Sequence, residues 1–207
     1  RSTIVARRPI DHSPAELKTQ LSEGSVISAG YISEGGAYSL AGLMMGWFSA
    51  VALAADQSVA SVGGVLYMVP LGVSIAVSIR VSQALGAAGH IRLIRIGQAA
   101  LLVITLWMSL VMVGILFGAE HIVRALSDDP AVITLASSMF IIVAAMQIAD
   151  GVQGTMLGAA RGMMDNRVPV LITLVSYWLV ALPAGYIIGF QFSIGPNGVW
   201  IGYGLGL

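Results

Sequence analysis

Residues 147–169 read QIADGVQGTMLGAARGMMDNRVP and place one carboxylate, that of Asp150, inside an apolar run. Residues 131–149 before this acid are apolar apart from small hydroxyl side chains and one glutamine, and no charge follows it before Arg161. An ionisable group inside a membrane helix costs roughly 2.5–3.5 kcal/mol on insertion scales, so it is a functional candidate by default. The basic, turn-rich end from Arg161 to Arg167 predicts the point where the chain leaves the membrane.

Composition agrees with a membrane setting. The 207 residues are 57% hydrophobic and 10% charged, and the mean hydropathy is +0.89. A soluble domain is about a quarter charged, so these values indicate an integral membrane protein. A net charge of zero argues against a nucleic-acid partner, and the absence of cysteine excludes disulfides and thiol chemistry. Three scattered histidines have no metal-ligand spacing. The chain opens on a polar, basic stretch and stops inside an apolar run, so we expect a piece of a longer protein.

Uncharged runs and turn signals divide the chain into helices. Ser13-Pro-Ala-Glu16 matches a capping box with proline at the first helical position. Residues 57–79 and 96–119 are uncharged and each long enough to span a bilayer, whereas residues 168–207 are too long for one span and break at SIGPNG. We therefore predict an all-α membrane protein, a bundle of six transmembrane helices in residues 14–207 after a cytoplasmic linker at 1–13. The predicted spans are approximately 17–46, 55–82, 94–118, 131–160, 169–191 and 197–207, the last one truncated.

The positions of lysine and arginine predict the orientation of the bundle. With the linker inside, Arg124 is the one outer residue among the ten Lys and Arg of the chain. This excess on one side is the positive-inside pattern of membrane proteins. It predicts that the N-terminus of this piece lies in the cytoplasm.

Glu34 and Asp150 are the two acids inside predicted spans; the other eight, Asp56 among them, fall at predicted helix ends or in loops. With no basic residue inside a span, either acid can carry a proton, or the pair can hold Na⁺ through oxygen atoms. A third hypothesis is that each is a protonated acid that only hydrogen-bonds a neighbouring helix. Side chains on the same helical faces, or in an adaptable methionine wall, are cavity-lining candidates: Tyr38, Met146, Gln147 and Gln153.

Three further patterns predict packing rather than chemistry. Glycine pairs at helical spacing, such as Gly42 and Gly46, favour close helix approach. The i, i+4 spacing of Arg161 and Asp165 predicts a cytoplasmic salt bridge. The four tryptophans, Trp200 among them, are interpreted as anchors at the membrane interface, with the alternative that one or two of them line a cavity.

Several stretches together resemble the multidrug and toxic compound extrusion (MATE) family, in its NorM-like branch. They are LYMVPLGVSIAVSIRVSQALG at 66–86, DGVQG at 150–154, GAARGMMDNRVP at 158–169 and YWLVALPAGY at 177–186. The resemblance implies twelve helices in two lobes, related by a pseudo-two-fold axis along the membrane normal, around a central cavity. Residues 14–207 would then be the C-terminal lobe, with the N-terminal lobe missing from this piece.

The resemblance also implies function. The NorM-like branch exchanges organic cations for Na⁺ or H⁺, and its cation site uses a glutamate on the seventh helix and an aspartate on the tenth. These positions fall on Glu34 and Asp150. The chain departs from the branch at Met146, where an aromatic residue is common, and at Asp56, where histidine is common.

We therefore predict a cation-coupled antiporter in the cytoplasmic (inner) membrane of a bacterium, which exports small organic cations, contacts membrane lipid and binds no cofactor except the coupling ion. It is not predicted to be an enzyme: an intramembrane aspartyl protease needs a Gly-x-Gly-Asp turn, which Ala149-Asp150 does not supply. A flippase of lipid-linked substrates would need cationic residues deep in a span. A structural transporter half without its own ion site is the remaining alternative.

Overall fold

The structure, a computed structural model, describes residues 13–87 and 90–207. These residues form no β-strand, which confirms the all-α prediction. Six helices follow one another, namely α1 (Pro14–Phe48), α2 (Ala50–Gly86), α3 (His90–Arg124), α4 (Pro130–Gly162), α5 (Arg167–Gln191) and α6 (Pro196–Leu205). The predicted linker at residues 1–13 lies outside the described part of the chain, apart from Ser13.

Polar caps fix where the helices begin. The Ser13 hydroxyl accepts a hydrogen bond from the Glu16 backbone N–H at 3.1 Å, which confirms the predicted start of α1. Ser49 is the joint between α1 and α2, and its hydroxyl accepts the Ala52 N–H at 3.0 Å. Because a single residue connects them, the two helices fold back on each other as a hairpin. The Asp129 carboxylate caps α4 in the same way.

Four of the helices, α2 to α5, are long and apolar enough to cross a membrane. Large apolar side chains cover the outside of the bundle, and Phe117 is the extreme case at 84% exposed. In water such a surface would be unfavourable, whereas hydrocarbon solvates it. Helix α1 begins with charged residues, and α6 has only 10 residues. These two helices fail that test of length and composition, although both pack into the bundle.

Small residues set the closest helix contacts. The Ser74 hydroxyl on α2 donates to the Gly154 carbonyl on α4 at 2.7 Å. One turn further along α4, a Cβ on Gly158 would collide with the Ser74 backbone carbonyl. Gly202 of α6 likewise lies directly against Gly185 of α5. Close approach through glycine is thus confirmed at these crossings.

The prediction is wrong for Gly46, since a Cβ there would meet nothing within 4 Å. Met44 and Met45 beside it are buried in the core, so another face of α1 makes the contact, and glycine spacing alone does not report which face of a helix meets a partner.

The main apolar core lies at the end of the bundle that carries the Ser49 joint. It is formed by the end of α1, the start of α2, the end of α3 and the start of α4, with Met45, Val59, Ile115 and Phe140 among its buried members. A cavity opens beside this core, towards the middle of the helices. The cavity therefore begins where this core ends, and Val59 belongs to both.

Candidate functional site

Glu34 of α1 and Asp150 of α4 line the same cavity, which has a volume of about 300 Å³. Both side chains are partly buried. The two acids that sequence patterning isolated therefore line one hollow. The cavity wall is drawn from α1, α2, α4, α6 and the chain end, and it comprises Glu34, Tyr38, Val59, Ala60, Gly63, Gly64, Tyr67, Val143, Met146, Gln147, Asp150, Trp200, Tyr203 and Leu207.

Three of the four cavity-lining candidates, Tyr38, Met146 and Gln147, form part of this wall. Gln153 does not. Its amide oxygen accepts a hydrogen bond from the Tyr177 hydroxyl of α5 at 3.5 Å. Expecting Gln153 in the cavity was therefore wrong, because α5 packs beside this part of α4 and engages the side chain.

The wall also contains residues that were not predicted. Helix α2 contributes Gly63, Gly64 and Tyr67, and the Tyr67 hydroxyl lies 3.4 Å from the position a Cβ on Gly154 would take. The adjacent glycines, followed by a tyrosine one turn later, are the available signal in the sequence. Because α2 carries no charge at this depth, hydropathy does not distinguish them from residues that only pack.

Aromatic rings from α1, α5 and α6 form a continuous cluster along one side of the cavity. Tyr203 lies at its centre, stacked on Tyr177 at 5.2 Å and edge-on to Tyr38 at 6.0 Å and Trp200 at 6.1 Å. Of the two interpretations of the tryptophans, Trp200 fits the cavity-lining one, because α6 folds back against α1 and brings the indole inside. Ring faces beside carboxylates attract organic cations through cation–π interactions.

Helix α5 holds the segment of α1 that carries Glu34. The Trp178 indole N–H donates to the buried Ser33 hydroxyl at 2.8 Å, directly next to the acid. Tyr177 and Trp178 lie in a π-helical stretch, Ser176–Ala181, and a second one follows at Ile187–Gln191. Such wide turns often occur at functional sites. Here the first one places two aromatic residues against α1 and α6.

Arg161 contacts α1 instead of the acid four residues after it. Its guanidinium donates to the Tyr31 hydroxyl at 2.8 Å and lies 4.8 Å from the centre of the Tyr31 ring. The predicted salt bridge to Asp165 is wrong because α4 ends at Gly162, so the i, i+4 geometry of a helix is lost. Arg161 also lines a small hollow that Glu34 reaches from the other side.

We expect Arg161→Ala to weaken the contact between α4 and α1 by about 1 kcal/mol, the magnitude of an exposed cation–π pair. The main cavity should keep its shape, because Arg161 is not in its wall. Thermal melting in detergent measures the effect, with Arg167→Ala as the matched control. An unchanged melting temperature in Arg161→Ala would show that the contact with Tyr31 does not stabilise the bundle.

Asp56 lies in a different setting from the one that the sequence predicts. It was predicted at a helix end or in a loop, but α2 begins at Ala50, and the Asp56 side chain is only 4% exposed. Helices α1 and α6 cover the first turns of α2, which hydropathy along the chain does not report. In the described part of the chain, no group of three or more His, Cys, Asp or Glu is arranged to hold a metal ion.

The comparisons with known proteins agree with this architecture. The MatE family model matches residues 27–187. A probable multidrug resistance protein NorM of Xylella fastidiosa (strain Temecula1) is 33% identical over 193 residues, which is 93% of this chain and 41% of that protein. The multidrug resistance protein NorM of Burkholderia vietnamiensis is 37% identical over 172 residues, which is 80% of this chain and 37% of that protein. The chain thus spans about two-fifths of the length of these relatives.

Two solved structures show the same fold. The crystal structure of the eukaryotic MATE transporter AtDTX14 superposes with a TM-score of 0.88 at 21% identity, over 97% of this chain and 45% of that one. A MOP superfamily transporter from Pyrococcus furiosus gives a TM-score of 0.80 at 15% identity, over 87% of this chain and 40% of that one. The family model matches most of the length of this chain, and its long helices and apolar surface are those of a protein that lies in a membrane. This chain is therefore an integral membrane protein that belongs to the MatE family.

Proposed function

We propose that the protein is a cation-coupled antiporter that exports small organic cations, with Glu34 and Asp150 as the binding site of the coupling ion. The observation that carries the proposal is that two acids from distant parts of the sequence line one cavity with an aromatic wall. A cavity of about 300 Å³ is at the lower end of the size range of small-molecule sites. Its carboxylates and ring faces both favour positive charge.

Exchange follows from competition for these groups. An organic cation and the coupling ion, Na⁺ or H⁺, both gain from the same carboxylates, so binding of one disfavours the other. A ligand shifts a conformational equilibrium only as far as its affinity differs between the two states. Loading Glu34 and Asp150 would therefore bias the transporter between its two states, and the helices that carry these acids would move with it.

The wider setting belongs to the same proposal. The described helices would be the C-terminal lobe of a two-lobed transporter in the inner membrane of a bacterium, with the start of α1 on the cytoplasmic side and the N-terminal lobe as partner. Two alternatives have less support. A flippase of lipid-linked pyrophosphates needs basic groups in its cavity, and no lysine or arginine lines this one in the part of the chain that the structure describes. A structural half would gain nothing from two acids in one cavity, because an ionisable group inside a membrane helix costs free energy.

The deciding experiment is transport by the full-length protein in sealed vesicles, with Na⁺ and pH gradients imposed separately. We expect an inward gradient of the coupling ion to drive export of a fluorescent organic cation, and collapse of that gradient to stop it. Protein-free vesicles under the same gradients are the control. If neither gradient drives export above this control, the antiporter proposal is wrong.

A further inference from the structure

A third acid is buried outside the cavity, at the end of the bundle that carries the Ser49 joint. Asp56 lies six residues into α2, about 9 Å along the helix at 1.5 Å per residue. Its carboxylate oxygen Oδ2 lies 3.7 Å from where a Cβ on Gly42 would be, so Asp56 is level with Gly42 of α1. Glu34 lies eight residues, or about 12 Å, further along α1. The two acids therefore occupy different depths.

Asp56 lines a hollow of its own, with a volume of about 10 Å³. This is about the size needed for a single water molecule. Its wall comprises Tyr38, Ala41, Gly42, Met45, Asp56, Val199, Trp200 and Tyr203. Glycine and alanine on α1 leave the space, and a larger side chain at Gly42 would fill it.

The hollow shares three aromatic residues with the main cavity, namely Tyr38, Trp200 and Tyr203. These rings therefore form the partition between Asp56 on one side and Glu34 with Asp150 on the other. The two tyrosines carry hydroxyl groups that can both donate and accept a proton.

The polar groups around Asp56 do not form the complete set of hydrogen bonds and ion pairs that a purely structural buried acid would have. The indole N–H of Trp200 is buried and has no hydrogen-bond partner among the described residues, and Trp200 lines the same hollow as Asp56. No arginine or lysine lines the hollow in the ranges that the structure describes. The titratable groups that face Asp56 are Tyr38 from α1 and Tyr203 from α6, while α4 contributes none to this wall.

We propose that Asp56 is a proton-binding site, separate from the main cavity, which exchanges protons between the outer water and the Glu34–Asp150 site across the aromatic partition. A proton from outer water adds to one carboxylate oxygen of Asp56. The same O–H bond breaks when the oxygen of Tyr38 or Tyr203 accepts the proton, while that hydroxyl releases its own proton to the Glu34–Asp150 site. The assignment of this end of the bundle to the outer side of the membrane rests on the proposed function and its orientation. The binding of a proton at Asp56 does not rest on either of them.

The dimensions favour a proton over a metal cation. Hard cations take several oxygen ligands, and the described side chains offer one carboxylate and two phenol hydroxyls around space for one water. A proton needs only one oxygen and no space. An organic cation is too large for the hollow.

The test is infrared difference spectroscopy of the purified full-length protein between acidic and alkaline pH, with Asp56→Asn and the control Asp128→Asn. Asp128 is an exposed acid in the loop before α4, so the control removes a carboxyl at the same end of the bundle. We expect the wild type and Asp128→Asn to share a pH-dependent C=O band of a protonated, shielded carboxyl group, and Asp56→Asn to lack it. Identical difference spectra for the wild type and Asp56→Asn would overturn the proposal.

A second variant keeps the proposal testable should Asp56→Asn fail to fold. Asp56→Glu retains a carboxyl group but moves it by one methylene, so the band should persist at a shifted frequency. A band that neither moves nor weakens in Asp56→Glu would mean that it arises from another acid. These measurements need no transport activity, so failure of the antiporter proposal leaves their outcome interpretable.

Discussion

Asp150→Asn in the full-length protein should abolish gradient-driven export of organic cations, down to the level of protein-free vesicles, and Glu34→Gln should do the same. Each amide has nearly the shape of the acid it replaces, but it can neither carry the negative charge nor exchange a proton. The cavity would keep its aromatic wall while losing the groups that distinguish a loaded from an empty state. Export of a fluorescent cation from reconstituted vesicles measures the effect.

Matched controls separate loss of charge in the cavity from loss of charge in general. Asp165→Asn removes an exposed acid from the turn after α4, and Glu16→Gln removes one from the first turn of α1. Both should export as the wild type does. Folding is checked by thermal melting in detergent. Undiminished export by the Glu34→Gln/Asp150→Asn double variant would remove these acids from the mechanism.

Gly158→Val should prevent the bundle from folding normally, because it places a branched side chain where α4 lies against α2. A Cβ on Gly158 would lie 2.5 Å from the Ser74 hydroxyl oxygen and 2.9 Å from the Ser74 carbonyl carbon. Backbone atoms cannot turn away as a flexible side chain can, so the helices must separate. The hydrogen bond from Ser74 to the Gly154 carbonyl would be lost with them. Overpacking of this kind costs about 3 kcal/mol.

The melting temperature and the yield of monodisperse protein in detergent measure this loss, and both should fall sharply. Gly114→Val is the control, since it makes the same substitution in the middle of α3, where a Cβ meets nothing within 4 Å. That variant should behave as the wild type. Equal melting temperatures for Gly158→Val and the wild type would show that α2 and α4 are less closely packed than described.

Local chemistry explains which features could be predicted. The start of α1 depends on Ser13 and Glu16, which are three residues apart, and the start of α4 depends on Asp129 beside its own helix. Glu34 and Asp150 stand out because charge inside an apolar run is costly wherever the run packs. Such signals act within one or two helical turns, so the sequence expresses them directly.

Other features depend on contacts between helices. Asp56 bounds an apolar run, which predicts a helix end, yet α1 and α6 bury it. The sequence leaves Trp200 open between the membrane interface and a cavity, and α6 folds back and turns the indole inward. Gln153 shares a helical stripe with Asp150 but engages Tyr177 of α5. In each case the deciding partner lies on a helix distant in sequence.

The sequence by itself determined that the chain is helical, lies in a membrane and carries two acids inside its spans, because these properties follow from hydropathy and local helix geometry. Only the tertiary structure decided that Glu34 and Asp150 share one cavity, that aromatic rings from α1, α5 and α6 form one of its sides, and that Asp56 is buried beyond them. Helices in a bundle can rotate about their axes and pair in several ways at similar local cost. Contacts between distant residues, such as Ser74 with Gly154, select one arrangement and with it the faces that meet.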